Sequence, residues 1–318
     1  MDKPSVTVIG AGVIGLSTAV HLLEDGFPVT VVARELHPDT TSSVAAAIWF
    51  PYEAAPADKV ESWSIQTFRR YEKMTTDAAT GVSMVICRWV SDHEYVRPDW
   101  SHSVGSFMEM DVNELPSGYT HGYQVTVPLI ETPTYMPYLL KRFESGGGNL
   151  RINPRGIDSL DDPLLGKYIV NCSGLGASKL ASDDRMFPIR GQVVSVENPG
   201  IPFATCDDES SSAVCYVLPR KNDCILGGVA IRDDWSTKPD LEIAKGIVER
   251  CEVLDPRLKG AKVLGHAAGL RPGRDSVRLE LEWRQEGRAV IHNYGHGGAG
   301  FTLAWGCARD VLRSIKSL

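Results

Sequence analysis

Apolar residues follow two rhythms along this chain, and the rhythm changes at glycines. Val6-Thr7-Val8-Ile9 is a short β-branched run, read as a buried strand. Gly10-Ala11-Gly12-Val13-Ile14-Gly15 follows. Val13, Leu16, Val20 and Leu23 then recur at helical spacing until Gly26 stops the helix as a C-terminal cap. Val29-Thr30-Val31-Val32 is a second strand. A strand, a turn, a helix and a strand in that order begin a doubly wound parallel sheet. Further along, the pattern predicts a helix over Thr134 to Ser145, with Tyr138, Leu139, Leu140 and Phe143 apolar and Gly146-Gly147-Gly148 ending it. Tyr168-Ile169-Val170 reads as a strand that runs, at a sheet edge, into Asn171-Cys172-Ser173-Gly174-Leu175-Gly176. Ala289-Val290-Ile291 is another strand, His292 to Gly300 a glycine-dense loop, and Phe301 to Leu318 a closing helix. Residues 84–127 and 192–230 carry β-branched and aromatic residues between turns, which suggests an antiparallel sheet in a second domain.

Composition narrows the class. With 43% hydrophobic and 23% charged residues over 318 positions, the chain is too apolar for a disordered protein and long enough for two domains. A net charge of -7 argues against a general nucleic-acid binder, although a local site can still be positive. No apolar run reaches membrane-spanning length, and Met1 to Ser5 is polar. A cytoplasmic protein without membrane attachment is the expectation. Seven scattered cysteines without a CxxC pair suggest buried free thiols, with a single disulfide left open. His292 and His296 are four apart, but the glycines around them imply a loop and not a metal-binding helix face, so no metal is expected.

The glycine turn brings in chemistry. Gly10 permits the tight turn, Gly12 lets backbone approach a pyrophosphate, and Gly15 lets the helix pack closely on the sheet. The helix N-terminus then offers unpaired N–H groups and a positive dipole end to phosphate. The GxGxxG spacing alone also suits a structural turn. Here it follows a strand, opens a helix, and has an acid, Glu35, about 20 residues after Gly15. A second glycine loop opens a second helix at the far end of the chain, flanked by Tyr294 and Phe301. Backbone so permissive allows something to lie flat against it.

Several ordered motifs carry a family resemblance along the whole chain. Val8 to Thr18, Val44-Ala45-Ala46-Ala47-Ile48-Trp49 with Pro51-Tyr52, Arg190-Gly191-Gln192, Gly269-Leu270-Arg271-Pro272 and His292-Asn293-Tyr294-Gly295-His296-Gly297-Gly298 resemble D-amino-acid oxidases, which are FAD enzymes. The resemblance implies an α/β fold, with a Rossmann-type FAD-binding domain (1–55, 125–183 and 264–318) interleaved with an α+β substrate domain on a mainly antiparallel sheet (56–124 and 184–263). For the cofactor it implies contacts from Gly10, Ala11, Gly12, Val13, Ile14 and Gly15 at the pyrophosphate. Arg34 and Glu35 fall at the ribose, and Thr40, Thr41 and Ser42 near the phosphates. Ala46, Ala47 and Ile48 fall at the ring, and Ile157 and Ser173 supply mid-chain contacts. Gly297, Gly298, Ala299, Gly300, Phe301 and Thr302 form the C-terminal flavin loop.

For the substrate, the resemblance implies that Arg271 and Tyr216 hold the carboxylate and that the Gly298 carbonyl receives the amine. Ile48, Phe50 and Leu218 would line the side-chain pocket. The implied reaction is oxidative deamination of neutral D-amino acids, with dioxygen as second substrate and hydrogen peroxide as product. Four departures stand out. Asp207 to Cys215 contains no lid tyrosine, Phe50 replaces a family glutamine, Arg34 stands where many members carry the ribose aspartate, and the chain ends Lys316-Ser317-Leu318 instead of the peroxisomal Ser-Lys-Leu. Two alternatives stay open: a flavin oxidase of D-aspartate or glycine, and a non-catalytic dinucleotide-binding redox sensor. For D-aspartate, Ala230 stands where relatives carry an arginine, but Arg232 is two residues on, hence on the same strand face. A homodimer is also left open.

Overall fold

The computed structural model describes residues 3–208 and 214–318. Residues 209–213, inside the segment compared above with a lid, lie outside them. Two sheets carry the fold. The first has six strands, ordered across the sheet as Arg278–Trp283, Ala289–Tyr294, Tyr168–Asn171, Val6–Ile9, Val29–Ala33 and Asn149–Ile152. All neighbours in it are parallel except Arg278–Trp283 with Ala289–Tyr294. The β-branched runs occupy the middle because both faces of a parallel sheet are covered. Val6, Val8, Val31, Ile169 and Val290 are all out of water.

Tyr168–Asn171 is an interior strand. Its glycine step lies at the carboxyl ends of the strands, beside the Gly10 turn, where Cys172 N donates to Ile9 O at 2.9 Å. Ligands of open α/β sheets bind at these strand ends.

The second sheet has nine strands and is mainly antiparallel. Phe187–Val196 pairs with Val263–Gly273 over nearly its whole length, placing Arg271 opposite Ile189 and Gly269 opposite Gly191. Cys215–Pro219 lies between Ala204–Asp207 and Cys224–Gly227. One parallel pair, Val82–Ser91 with Ala204–Asp207, breaks the antiparallel pattern.

Helices Val13–Glu24, Thr132–Ser145 and Gly300–Lys316 correspond to the periodic segments. Two further helices, Ala57–Met74 and Leu241–Leu254, were not read from the pattern. The second is opened by Asp240, whose carboxylate accepts from Glu242 N and Ile243 N, an N-cap signal available in the sequence. The strand read as Ala289–Ile291 continues through His292 and Asn293 to Tyr294, and all six residues are buried. The first part of the expected glycine loop is thus sheet. His292 is held there by Glu282 at 2.9 Å from Nε2, and burial lowers its pKa. All seven cysteines are buried free thiols, two pairs of which lie close: Cys87 with Cys206 at 3.7 Å and Cys215 with Cys251 at 3.6 Å. Among the described residues, no helix is long and apolar enough to cross a membrane.

Candidate active site

A cavity of about 1040 Å³ runs from the Gly10 turn to the antiparallel sheet. Its two ends are built differently. At the first end, Gly10 has φ 106°, and a Cβ there would lie 2.5 Å from Cys172 O. Only glycine fits. A Cβ on Gly15 would lie 2.0 Å from Gly10 O, so Gly15 is a packing residue behind the wall and does not line the cavity. The helix Val13–Glu24 has no side-chain cap and no acid in its first turn. Ser42 Oγ accepts from Val13 N at 2.9 Å. Gly10, Ala11, Gly12, Val13 and Ile14 line this end, so a helix terminus whose Val13 N–H alone meets a side chain lies beside an open space. That arrangement suits a phosphate.

Arg34 and Glu35 pair at 3.1 Å beyond the turn, Arg34 exposed and Glu35 half-buried. Thr40, Thr41 and Ser42 line the same stretch, with Thr40 Oγ1 bonded to Ser43 Oγ at 2.9 Å. Ile157 and Ser173 complete it from the middle of the chain. Ser173 is fixed through its N and Oγ to Asn171 Oδ1.

Between the ends the lining is mainly apolar. Ala46, Ala47 and Ile48 line the cavity, as do Gly297, Gly298, Gly300 and Phe301. The helix Gly300–Lys316 also starts without a side-chain cap or an acid. Ala299 and Thr302 stand behind the wall. Ala299 is fully buried in the core. Thr302 Oγ1 accepts from Phe50 N at 3.1 Å and donates to Phe50 O at 2.8 Å, clasping that residue. Two polar atoms behind the wall, Asn293 Oδ1 and His296 Nε2, are buried without a partner among the described residues. Burial alone pushes the His296 pKa down to about 3, so its ring is neutral. Two helix N-termini without an acid in the first turn, one of them behind a turn that only glycine can make, fit a dinucleotide such as FAD.

Arg271, Tyr216 and Gly298 meet at the other end. Each comes from a different element: Val263–Gly273, Cys215–Pro219 and the turn before the last helix. Glycines make the space. A Cβ on Gly191 would lie 2.6 Å from Arg271 Nη1, and one on Gly227 would lie 2.0 Å from Tyr216 Cζ. The Arg271 guanidinium donates to Val229 O at 3.0 Å and forms no ion pair with a carboxylate among the described residues. Burial raises the Tyr216 pKa against the pull of Arg271, so the phenol keeps its proton. A Cβ on Gly298 would sit 3.1 Å from Tyr52 and 3.6 Å from Arg271 Cδ, so all these groups share one small volume.

Extended backbone around the isolated bridge of Ile48 to Leu129 sorts the neighbouring segment. Ile48 and Phe50 line the cavity, whereas Trp49 is fully buried, its indole donating to Ser64 O at 2.9 Å. Leu218 adds an aliphatic wall. Tyr52, Trp89 and Trp235 also line this end and were not singled out in the sequence. Burial and the nearby Glu53 push the Tyr52 hydroxyl up to about 12, against Arg271. Trp89 forms an aromatic wall with Phe50 at 5.1 Å. Only Tyr52 had a sequence signal, its place in the Pro51-Tyr52 motif. Asp208 also lines the cavity and is engaged by other groups. Arg232 does not line it. It is exposed, paired with Asp233 and stacked on Phe187 at 3.6 Å.

Comparison with known proteins agrees with this geometry. The model of the FAD dependent oxidoreductase family matches residues 5–313. The chain is 46% identical over 309 residues to a D-amino-acid oxidase of Rubrobacter xylanophilus, covering 96% of this chain and 93% of that one. It is 35% identical over 330 residues to the human (Homo sapiens) D-aspartate oxidase, covering 99% and 96%. Among solved structures, glycine oxidase from Geobacillus kaustophilus superposes with a TM-score of 0.82 at 16% identity, covering 98% of this chain and 94% of that one.

Proposed function

The chain belongs to the FAD dependent oxidoreductase family, and from that premise we propose that it is an oxidase of neutral, mid-sized D-amino acids. The observation that carries the reading is the Arg271 guanidinium, free of any carboxylate among the described residues, beside a protonated phenol and an open glycine backbone. A half-buried cation without a counter-ion calls for an anionic ligand. The guanidinium fork suits a carboxylate. In this reading Arg271 and the Tyr216 hydroxyl hold the substrate carboxylate, and the Gly298 carbonyl accepts an amine N–H. Three fixed points set the hand of the α-carbon and turn its hydrogen toward the mainly apolar stretch between the ends. The contribution of these residues is orientation. FAD, when bound, supplies the two-electron acceptor there.

Ile48, Phe50 and Leu218 keep water out and bury the substrate side chain. No proton has to be taken from the α-carbon if the amine enters uncharged, so Tyr216 binds and does not act as a base. The overall balance is D-amino acid, dioxygen and water to 2-oxo acid, ammonia and hydrogen peroxide. An acidic side chain would need a second cation. Arg232, the candidate from the sequence, is exposed and already paired, which supports neutral substrates over D-aspartate. Peroxide release across a panel of valine, leucine, methionine, phenylalanine, aspartate and glutamate in both hands tests the proposal. Neutral D-forms should lead and L-forms should be inert. A lead by D-aspartate or by any L-form would refute it.

A further inference from the structure

Arg220 follows the strand of Tyr216 and is absent from the cavity wall, yet it is tied to that wall from behind. Its Nη2 donates to Ala45 O at 3.2 Å and Ala46 O at 3.3 Å. Its Nε is out of water and has no partner among the described residues. No carboxylate there forms an ion pair with it; Asp223 and Glu131 act on it at longer range, as does the Tyr216 phenol. A cation is thus held against two neutral carbonyls, which is a costly place for it.

The carbonyls it holds belong to a wholly fastened segment. Thr132 Oγ1 lies 3.2 Å from both Ser43 O and Ala45 O, and Ile130 N donates to Ala47 O at 2.8 Å. The carbonyls of Ser43, Ala45, Ala46 and Ala47 are therefore all engaged by protein. The N–H groups of Ala45, Ala46, Ala47 and Ile48 meet no acceptor among the described residues, and all four residues line the cavity. Ala47 sits at φ 60°, a left-handed conformation that a non-glycine residue holds only when its surroundings enforce it.

We propose that Arg220 is a positioning residue for the bound ring system. It holds residues 45–48 so that their free N–H groups face the cavity, and it places a fixed positive charge behind them. Such a wall favours a ring that gains negative charge, because its dipoles and charge are already oriented. The inference rests on the FAD reading above and goes beyond it by assigning a role to a residue that touches neither cofactor nor substrate.

The test uses the FAD-loaded protein and two readouts other than turnover. These are the FAD dissociation constant of the apoprotein and the dissociation constant of sulfite, a nucleophile whose addition to flavin leaves negative charge on the ring. Arg220→Gln and Arg220→Met should weaken sulfite binding about tenfold or more, and Arg220→Lys should stay within about threefold of the parent. Sulfite and FAD affinities in Arg220→Met within twofold of the parent would overturn the proposal. If Arg220→Met does not fold, the Lys and Gln variants decide: equal sulfite affinity in both overturns it, and a tenfold gap upholds it. A parent protein that binds no FAD would fail the functional reading instead, which separates the two.

Discussion

The two ends of the cavity reach specificity by opposite routes. The end proposed for phosphate is centred on a contiguous stretch, Gly10 to Ile14, whose backbone is the chemistry offered there, with Thr40 to Ser42 and Ser173 around it. The end proposed for the substrate collects Arg271, Tyr216 and Gly298 from three distant elements, and two side chains join one backbone carbonyl there. Backbone chemistry tolerates variation in side chains but not in glycine. Side-chain chemistry tolerates neither a lost head group nor an intruding Cβ. The difference tells where a substitution will cost affinity for cofactor and where it will cost turnover.

The largest break should come from Arg271→Leu. The variant should keep FAD and lose about a thousandfold or more in kcat/KM, mainly through KM, because its partner carboxylate is then buried unpaired. Near-parental steady-state kinetics would show that another cation anchors the substrate. Gly15→Ala attacks the other end. Its Cβ would collide with Gly10 O, and overpacking of about 1–3 kcal/mol should appear as weaker FAD binding and a lower Tm. Unchanged FAD titration and melting would contradict the packing argument.

These two variants also mark what was legible in the sequence. The strand, glycine turn and helix at 6–24 could be read directly, because hydrophobic rhythm and glycine spacing are local properties. Residues 292–294 could not. Glycines downstream made them look like loop, whereas pairing with Arg278–Trp283 and Tyr168–Asn171 makes them an inner strand. Arg271 and Tyr216 were chosen by resemblance alone, since nothing local distinguishes them from ordinary strand residues. What singles them out is spatial: the room left by Gly191 and Gly227. Arg220 and Trp89 had no local signal at all. Arg232 shows the converse, since strand alternation put it beside Ala230 on one face, but the exposed rim strand turns it to solvent.

Smaller effects sharpen the same contrast. His296 has its pKa lowered by burial to about 3, so the unfolded chain binds the proton more readily. Its contribution to stability is therefore complete above the ordinary histidine value and is lost as pH falls below about 6.5, by roughly 1.4 kcal/mol per pH unit. The apoprotein Tm should drop along that slope, and His296→Asn should flatten it. An unchanged slope in the variant would assign the loss to other groups. Tyr216→Phe should keep flavin reduction at about a tenth of the parental rate or better, since one hydrogen bond to a charged group is removed. Complete loss in a folded, FAD-loaded variant would make the phenol a base. Arg232→Ala should change kcat/KM for D-aspartate and D-methionine less than about twofold, as expected of an exposed ion pair. A selective collapse of D-aspartate turnover would reinstate the acidic-substrate reading.

The most direct test of the account is anaerobic mixing of the FAD-loaded protein with D-methionine, L-methionine and D-aspartate, followed through the visible absorption of the flavin. The account predicts rapid bleaching by D-methionine, slow bleaching by D-aspartate and none by L-methionine. Bleaching by both hands of methionine, or by neither, would contradict it.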